Sequence, residues 1–271
     1  MALLIGLLAG AHVSSWGMYK DAPHEGFTWP KFSRSIVVAG AVALVLSRLT
    51  GLGVDTAADA AVLFGLTYAV ERLLLELWKG YIREEDQSKY FIPMQFGILG
   101  KPIKSRAVRW GVLAGILVIF ALLLWGARAA QAAYGERVPA WLVLVTVGSL
   151  GGWLTAFGGA WKDAPVEGFE TFKFFRSPLV SLFWAVVVAF FTADWVFISI
   201  AGAGYSVATI ETYKTFFFPS KPRGKFAGKP ILYPEILERR WIVAVLYAAI
   251  WAAILAMLTL AFLGPREGLL P

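Results

Sequence analysis

The sequence predicts an all-α integral membrane protein: eight transmembrane helices forming two parallel four-helix repeats, related by a pseudo-two-fold axis along the membrane normal. Three observations carry that prediction. First, 58% of the 271 residues are hydrophobic and 16% are charged, whereas a soluble domain carries roughly 25% charged residues. A water-facing globule of this size could not hide so much apolar surface, so the solvent is a bilayer. Second, eight apolar runs lie near the ~20 residues that a bilayer core requires. Third, "KDAPHEGFTWPKFSRS" from Lys20 returns as "KDAPVEGFETFKFFRS" from Lys162.

The runs fall at 2–19, 35–53, 59–78, 109–129, 141–160, 177–196, 197–213 and 241–263. Run 2–19 has the apolar character of a signal peptide but lacks a basic n-region. Its counterpart at 141–160 lies mid-chain, so both are read as helices. Run 59–78 carries Glu71, Arg72 and Glu76 near one end. An ionisable group at that depth is a functional candidate by default, although a pair of Arg72 with Glu71 or Glu76 would also account for it. Run 197–213 ends at Glu211, and Asp194 lies near the outer end of run 177–196. His12, in the first run, is read as a packed, hydrogen-bonded residue. Trp16, Trp29, Trp78, Trp110, Trp161 and Trp241 sit at helix ends, as interfacial anchors do.

Charge sets the orientation. The loops after the first, third, fifth and seventh runs hold 20 of the 25 Lys and Arg residues. The positive-inside rule then makes those loops cytoplasmic, 79–109 and 214–240 among them, with both termini outside. The expected location is the plasma membrane of a bacterium or archaeon. The same rule explains the net charge of +7, so no nucleic-acid partner is expected.

The repeat is dense. Shifting the chain by 142 aligns Gly6–Ser35 with Gly148–Ser177, and fifteen of thirty positions are identical without a gap. Gly6 and Gly10 fall on Gly148 and Gly152, two GxxxG pairs that permit close helix approach. A second set follows. "ELWK" (Glu76–Lys79) answers "ETYK" (Glu211–Lys214), and "YFIP" ending at Pro93 answers "FFFP" ending at Pro219. "GKPI" occurs at Gly100 and again at Gly228, and "RW" at Arg109 and Arg240. The first half has extra residues within "GYIREEDQS". Residues 1–135 and 136–271 form the two repeats. Four helices per unit is an even number, so the second copy enters in the orientation of the first, unlike inverted repeats.

The repeated polar residues define the candidate site. In each KDAP segment Asp precedes Ala-Pro, a pattern that fits a helix N-cap with Pro in the first turn. Caps do not account for the recurrence of Lys20, Glu25, Lys31 and Arg34 as Lys162, Glu167, Lys173 and Arg176. The functional reading is a polar site at head-group level. Asp21, Glu25, Asp163 and Glu167 supply hard oxygen ligands suited to Mg²⁺. The basic residues suit phosphate, together with Glu76, Glu211, Lys101 and Lys229. GKPI lacks the GxxxxGK[ST] pattern of a P-loop, so Lys101 and Lys229 are equally turn residues touching anionic lipid.

With no Cys and only His12 and His24, neither a haem nor a thiolate metal site is expected. Three function classes fit. The first is a cytoplasm-facing interfacial enzyme acting on a lipid-linked or phosphate-bearing substrate. The second is a transporter or flippase, and the third a structural or assembly subunit of a larger membrane complex. Expected partners are membrane lipids, a phosphate-bearing lipid substrate, and further copies of the chain or other subunits.

Overall fold

The computed structural model describes residues 1–217 and 224–271. Pro219 of the FFFP signal, and Lys221 and Arg223 of the seventh loop, lie outside the described residues. The protein is helical throughout, with one antiparallel two-residue ladder pairing β1 (Gly97–Ile98) and β2 (Lys101–Pro102). The helices are α1 (Ala2–Glu25), α2 (Trp29–Thr50), α3 (Ala57–Leu77), α4 (Arg106–Tyr134), α5 (Ala140–Val143), α6 (Leu150–Glu167), α7 (Thr171–Val188), α8 (Trp195–Phe216), α9 (Pro234–Glu238) and α10 (Arg240–Leu263). A π-helical stretch at Leu144–Gly148 joins α5 to α6, so Ala140–Glu167 runs as one rod.

Six of these rods are long and apolar enough to cross a membrane: α1, α2, α4, Ala140–Glu167, α7 and α10. The chain is thus an all-α protein with the hallmarks of an integral membrane protein. Their outward faces stay greasy, as on α4, where Leu117, Val118, Ile119, Leu122 and Trp125 are exposed. The other two long helices, α3 and α8, have 21 and 22 residues and form the bundle centre. Their glycines bring them together: a Cβ on Gly65 would lie 2.7 Å from the Ala201 Cβ. Thr56 caps α3 by accepting from the Asp59 N–H at 3.0 Å. Asp194 caps α8, accepting from the Phe197 N–H at 3.0 Å. That cap sets the break between α7 and α8 around residues 189–194, where the apolar runs had shown no gap.

The GxxxG pairs pack within their own hairpins rather than at the bundle centre. A Cβ on Gly6 would lie 2.5 Å from the Ala39 carbonyl on α2, and one on Gly152 would lie 2.6 Å from the Ser177 carbonyl on α7. Gly10 meets Ser35 just as Gly152 meets Ser177, positions related by the same shift of 142. Backbone-to-backbone contact of this kind gives dispersion contact that any side chain would prevent.

One expectation is overturned. Asp21 and Asp163 are not N-caps; they sit in the closing turns of α1 and α6, which run on through the KDAP segments to Glu25 and Glu167. Pro23 removes the N–H that would have bonded the Tyr19 carbonyl. Arg240 replaces it, donating from Nε and Nη2 to that carbonyl at 3.0 and 2.8 Å. One lost bond near a helix end is affordable when a guanidinium takes the orphaned acceptor. Gly26 and Gly168, at φ +75 and +87, then end the helices, their N–H groups bonding Ala22 and Ala164. A side chain there would be strained in this left-handed region.

The long loops gather at one end of the bundle and cross between halves. The Leu232 and Tyr233 N–H groups donate to the Pro23 carbonyl at 2.9 and 3.1 Å. Trp161 Nε1 donates to the Gly97 carbonyl at 3.0 Å. Each GKPI segment therefore seats on the KDAP helix end of the other half.

Candidate functional site

Two cavities open beside the KDAP segments. One, of about 130 Å³, lies between the ends of α1 and α2. The other, of about 120 Å³, lies between the ends of α6 and α7. Of the seventeen residues lining the second, the thirteen between 155 and 177 are all counterparts, at a shift of 142, of residues lining the first. Asp21, Lys31, Arg34 and Ser35 answer Asp163, Lys173, Arg176 and Ser177. The shared lining also includes Phe27 and Phe32, matched by Phe169 and Phe174, so each cavity has an apolar flank.

The charge differs. Among the described residues the first cavity is lined by six cations (Lys31, Arg34, Arg72, Lys79, Arg83 and Lys225) and three carboxylates (Asp21, Glu25 and Glu85). In the second, Lys173, Arg176 and Lys214 meet Asp163, Glu170 and Glu211, three of each sign. The extra cations come from three sources. Arg72 stands where the second half has Val207. Arg83 comes from the inserted first-half segment. Lys225 arrives from the seventh loop, in the other half of the chain.

Lys225 locks the acidic face of the first cavity. Its Nζ is 2.9 Å from Asp21 Oδ2 and 3.6 Å from Glu25 Oε1. Burial pulls its pKa down, but the two carboxylates outweigh that and hold it above the ordinary lysine value. Lys31 approaches Glu25 at 3.7 Å. In the second half the corresponding role falls to a local residue: Lys173 bonds Asp163 Oδ2 at 2.9 Å and also pairs with Glu167. The four acids expected to form one group thus sit in two separate pairs, each holding a lysine. Among the described residues no three His, Cys, Asp or Glu side chains come together as a metal-holding group.

The inserted segment roofs the first cavity. Arg83 pairs with Glu85 at 2.5 Å, and Tyr90 donates to Glu85 Oε2 at 2.9 Å. Burial raises the Glu85 pKa, but bonds from Lys89 and Tyr90, with Arg83 nearby, hold it below the usual carboxylate value. Arg34 stacks over Trp78 at 5.4 Å, and its Nε has no hydrogen-bond partner.

Between the two cavities lies a charged layer that joins the halves. Lys20 Nζ is 3.4 Å from Glu211 Oε2, and Lys214 is 3.2 Å from Glu211 Oε1. Glu76 binds Arg72 at 2.6 Å and Lys79 at 3.1 Å. Lys162 acts on Glu76 through space and lies 3.4 Å from Met94 Sδ. Lys20 therefore serves the other half's ExxK segment, as Lys162 does. Arg72 takes Glu76 as its partner; Glu71, fully buried, has neither.

Six expected residues line neither cavity: Lys20, Glu76 and Lys162 lie in the charged layer, Glu167 pairs with Lys173, and Lys101 and Lys229 stand further apart. Lys101 is exposed on the β hairpin, and Lys229 donates to the Ser88 carbonyl at 3.0 Å. Three residues escaped the sequence reading: Arg83, Tyr90 and Lys225. The signal for Arg83 was the unmatched length of "GYIREEDQS", and Tyr90 opens the recurring "YFIP". His12 is packed as expected, its Nδ1 3.0 Å from the Tyr68 hydroxyl.

The chain matches no family model, no curated protein and no solved structure.

Proposed function

We propose that the protein crosses the membrane eight times, as two parallel four-helix repeats, and binds the phosphate head group of an anionic lipid in the first-half cavity. The observation that carries this reading is the unequal charge of two otherwise matched cavities: six cations against three carboxylates in the first, three against three in the second. Arginine forks match phosphate oxygens, and Arg34 and Arg83 stand over the cavity with Lys31 beside them. Val13, Met18, Phe27 and Phe32 complete its lining, an apolar flank suited to the first carbons of an acyl chain. The acids, each pair holding a lysine, act as orienting partners for cations rather than as metal ligands.

The eight-span repeat is supported by the matched cavity linings, by Gly10 and Gly152 meeting Ser35 and Ser177, and by the reciprocal seating of the GKPI segments. Rods of about 1.5 Å per residue give α3 and α8 the length to cross, and burial between neighbours shields their charges from lipid. The loop-bearing end is cytoplasmic by its excess of Lys and Arg.

The test compares equivalent arginines. Full-length protein in neutral-lipid nanodiscs is titrated with phosphatidylglycerol, and Arg34→Gln is measured beside Arg176→Gln. A charge-assisted contact is worth about 1.5–3 kcal/mol, roughly tenfold to a hundredfold in Kd. Arg34→Gln is expected to weaken binding by that factor and Arg176→Gln by less than threefold. Equal losses, or no binding to wild type, would remove the first-half assignment.

A further inference from the structure

We propose that Glu71 is a proton-binding site linked to the first-half cavity, so that filling the cavity with a phosphate anion is accompanied by uptake of a proton at Glu71. The inference rests on the reading of that cavity as an anion site. It begins from an anomaly: Glu71 is 0% exposed, and neither carboxylate oxygen has a hydrogen-bond partner. Ser35 on α2 stands close enough to ease the charged form of Glu71, yet its hydroxyl lies outside hydrogen-bonding geometry. A buried carboxylate is stable as an anion only with compensating charge.

The possible compensators are few. Arg72, its chain neighbour, and Lys79, on the turn after α3, both bind Glu76. On α1, Lys20 pairs with Glu211 of α8, and His12 is engaged with Tyr68 of α3. On α10, Tyr247 bonds Thr212 at 2.6 Å. Arg34, on α2, makes no salt bridge among the described residues. Arg72, Lys79 and Arg34 all act electrostatically on Glu71, in that order of strength, and all three line the cavity. The cations that compensate a buried carboxylate with no hydrogen-bond partner are thus the ones that an anion in the cavity would engage. When a phosphate anion shares their charge, the neutral form of Glu71 becomes favoured. The second half has no such device: Ser206 stands at the equivalent place and donates to the Ser177 carbonyl at 3.5 Å.

The experiment is calorimetric titration of the detergent-solubilised full chain with dihexanoyl phosphatidylglycerol, in buffers of differing ionisation enthalpy, from pH 5.5 to 8.5 (chosen values). A phosphodiester does not itself titrate there. Wild type is expected to take up as much as one proton per lipid. Its affinity should fall with rising pH, by up to tenfold per unit, across the window where Glu71 exchanges. Glu71→Gln should bind with no proton uptake and a flat pH profile. Glu71→Ser, which copies Ser206, should do the same and guards against a fault of the amide. A parallel arm uses glycerophosphoglycerol, the same diester without acyl chains. Uptake with the lipid alone assigns the linkage to a lipid head group; uptake with both assigns it to the diester in any form. Proton uptake that persists in both variants, or lipid binding to wild type without uptake, overturns the linkage and leaves the anion site standing. Absence of any binding to wild type overturns both.

Discussion

The two KDAP cavities share their walls and differ in their contents. Both are made by a helix that ends at a left-handed glycine, a return helix that brings in Lys and Arg, and a flank of Phe. In the second, a local lysine, Lys173, satisfies both acids, and positive and negative lining charges balance. In the first, the acids are satisfied by Lys225, from the far half of the chain, which leaves Lys31 and Arg34 less encumbered. The inserted segment then adds Arg83, and α3 adds Arg72 and the buried Glu71. On the proposed repeat, the recurring motif supplies two matched frames, and residues outside that motif (Arg72, Arg83 and Lys225) make one of them cationic.

The comparison can be broken most forcefully at the shared frame. Gly10→Leu and Gly152→Leu each push a side chain into the backbone of the neighbouring helix, at Ser35 and Ser177 respectively. Both should abolish the folded state, read as loss of the monodisperse peak in detergent size-exclusion chromatography. Loss in one half only would show that the hairpins are not equivalent. The middle-sized effect belongs to the first half alone. His12→Leu installs the residue found at position 154, removing the 3.0 Å bond to Tyr68 and ring contacts with Tyr247 and Trp251. A stability loss of about 1–2 kcal/mol is expected, measured by unfolding in mixed micelles, with lipid binding retained. A loss of binding without a loss of stability would move His12 into the site.

The smallest effect should come from the most conspicuous residues. Asp21→Asn and Asp163→Asn each leave their lysine with a second carboxylate, Glu25 for Lys225 and Glu167 for Lys173. Partly exposed pairs contribute up to about 1 kcal/mol, so each variant should melt within a few degrees of wild type. A loss of several kcal/mol in either half, or an activity that demands both acids, would restore a metal-binding role for them.

Much of this architecture could be read before any coordinates. Each of the eight apolar runs falls on a helix of eighteen residues or more, and six of these are long and apolar enough to cross a membrane; a helix satisfies its backbone internally in apolar surroundings. The GxxxG pairs announced close packing; the KDAP recurrence suggested one shared polar site, whereas two separate cavities flank the segments. The helix ends were misread at Asp21. A Pro-containing turn looks the same locally whether it opens a helix or closes one. Both helices run on to Glu25 and Glu167, and in the first the carbonyl that Pro23 leaves free is met by Arg240, 219 positions from Asp21.

What the sequence determined by itself was therefore periodic or repeated: the long helical segments, their greasy faces, and the doubled polar motif. Local composition governs whether a segment can enter a membrane as a helix, so these follow from short-range chemistry. The tertiary structure decided which charge answers which. Lys225 crossing to Asp21, Lys20 to Glu211, and Arg72 to Glu76 rather than Glu71 are all choices among chemically equivalent partners. Coulomb attraction carries no sequence address, and only the packing of α1, α2, α3 and α8 brings one particular pair within reach.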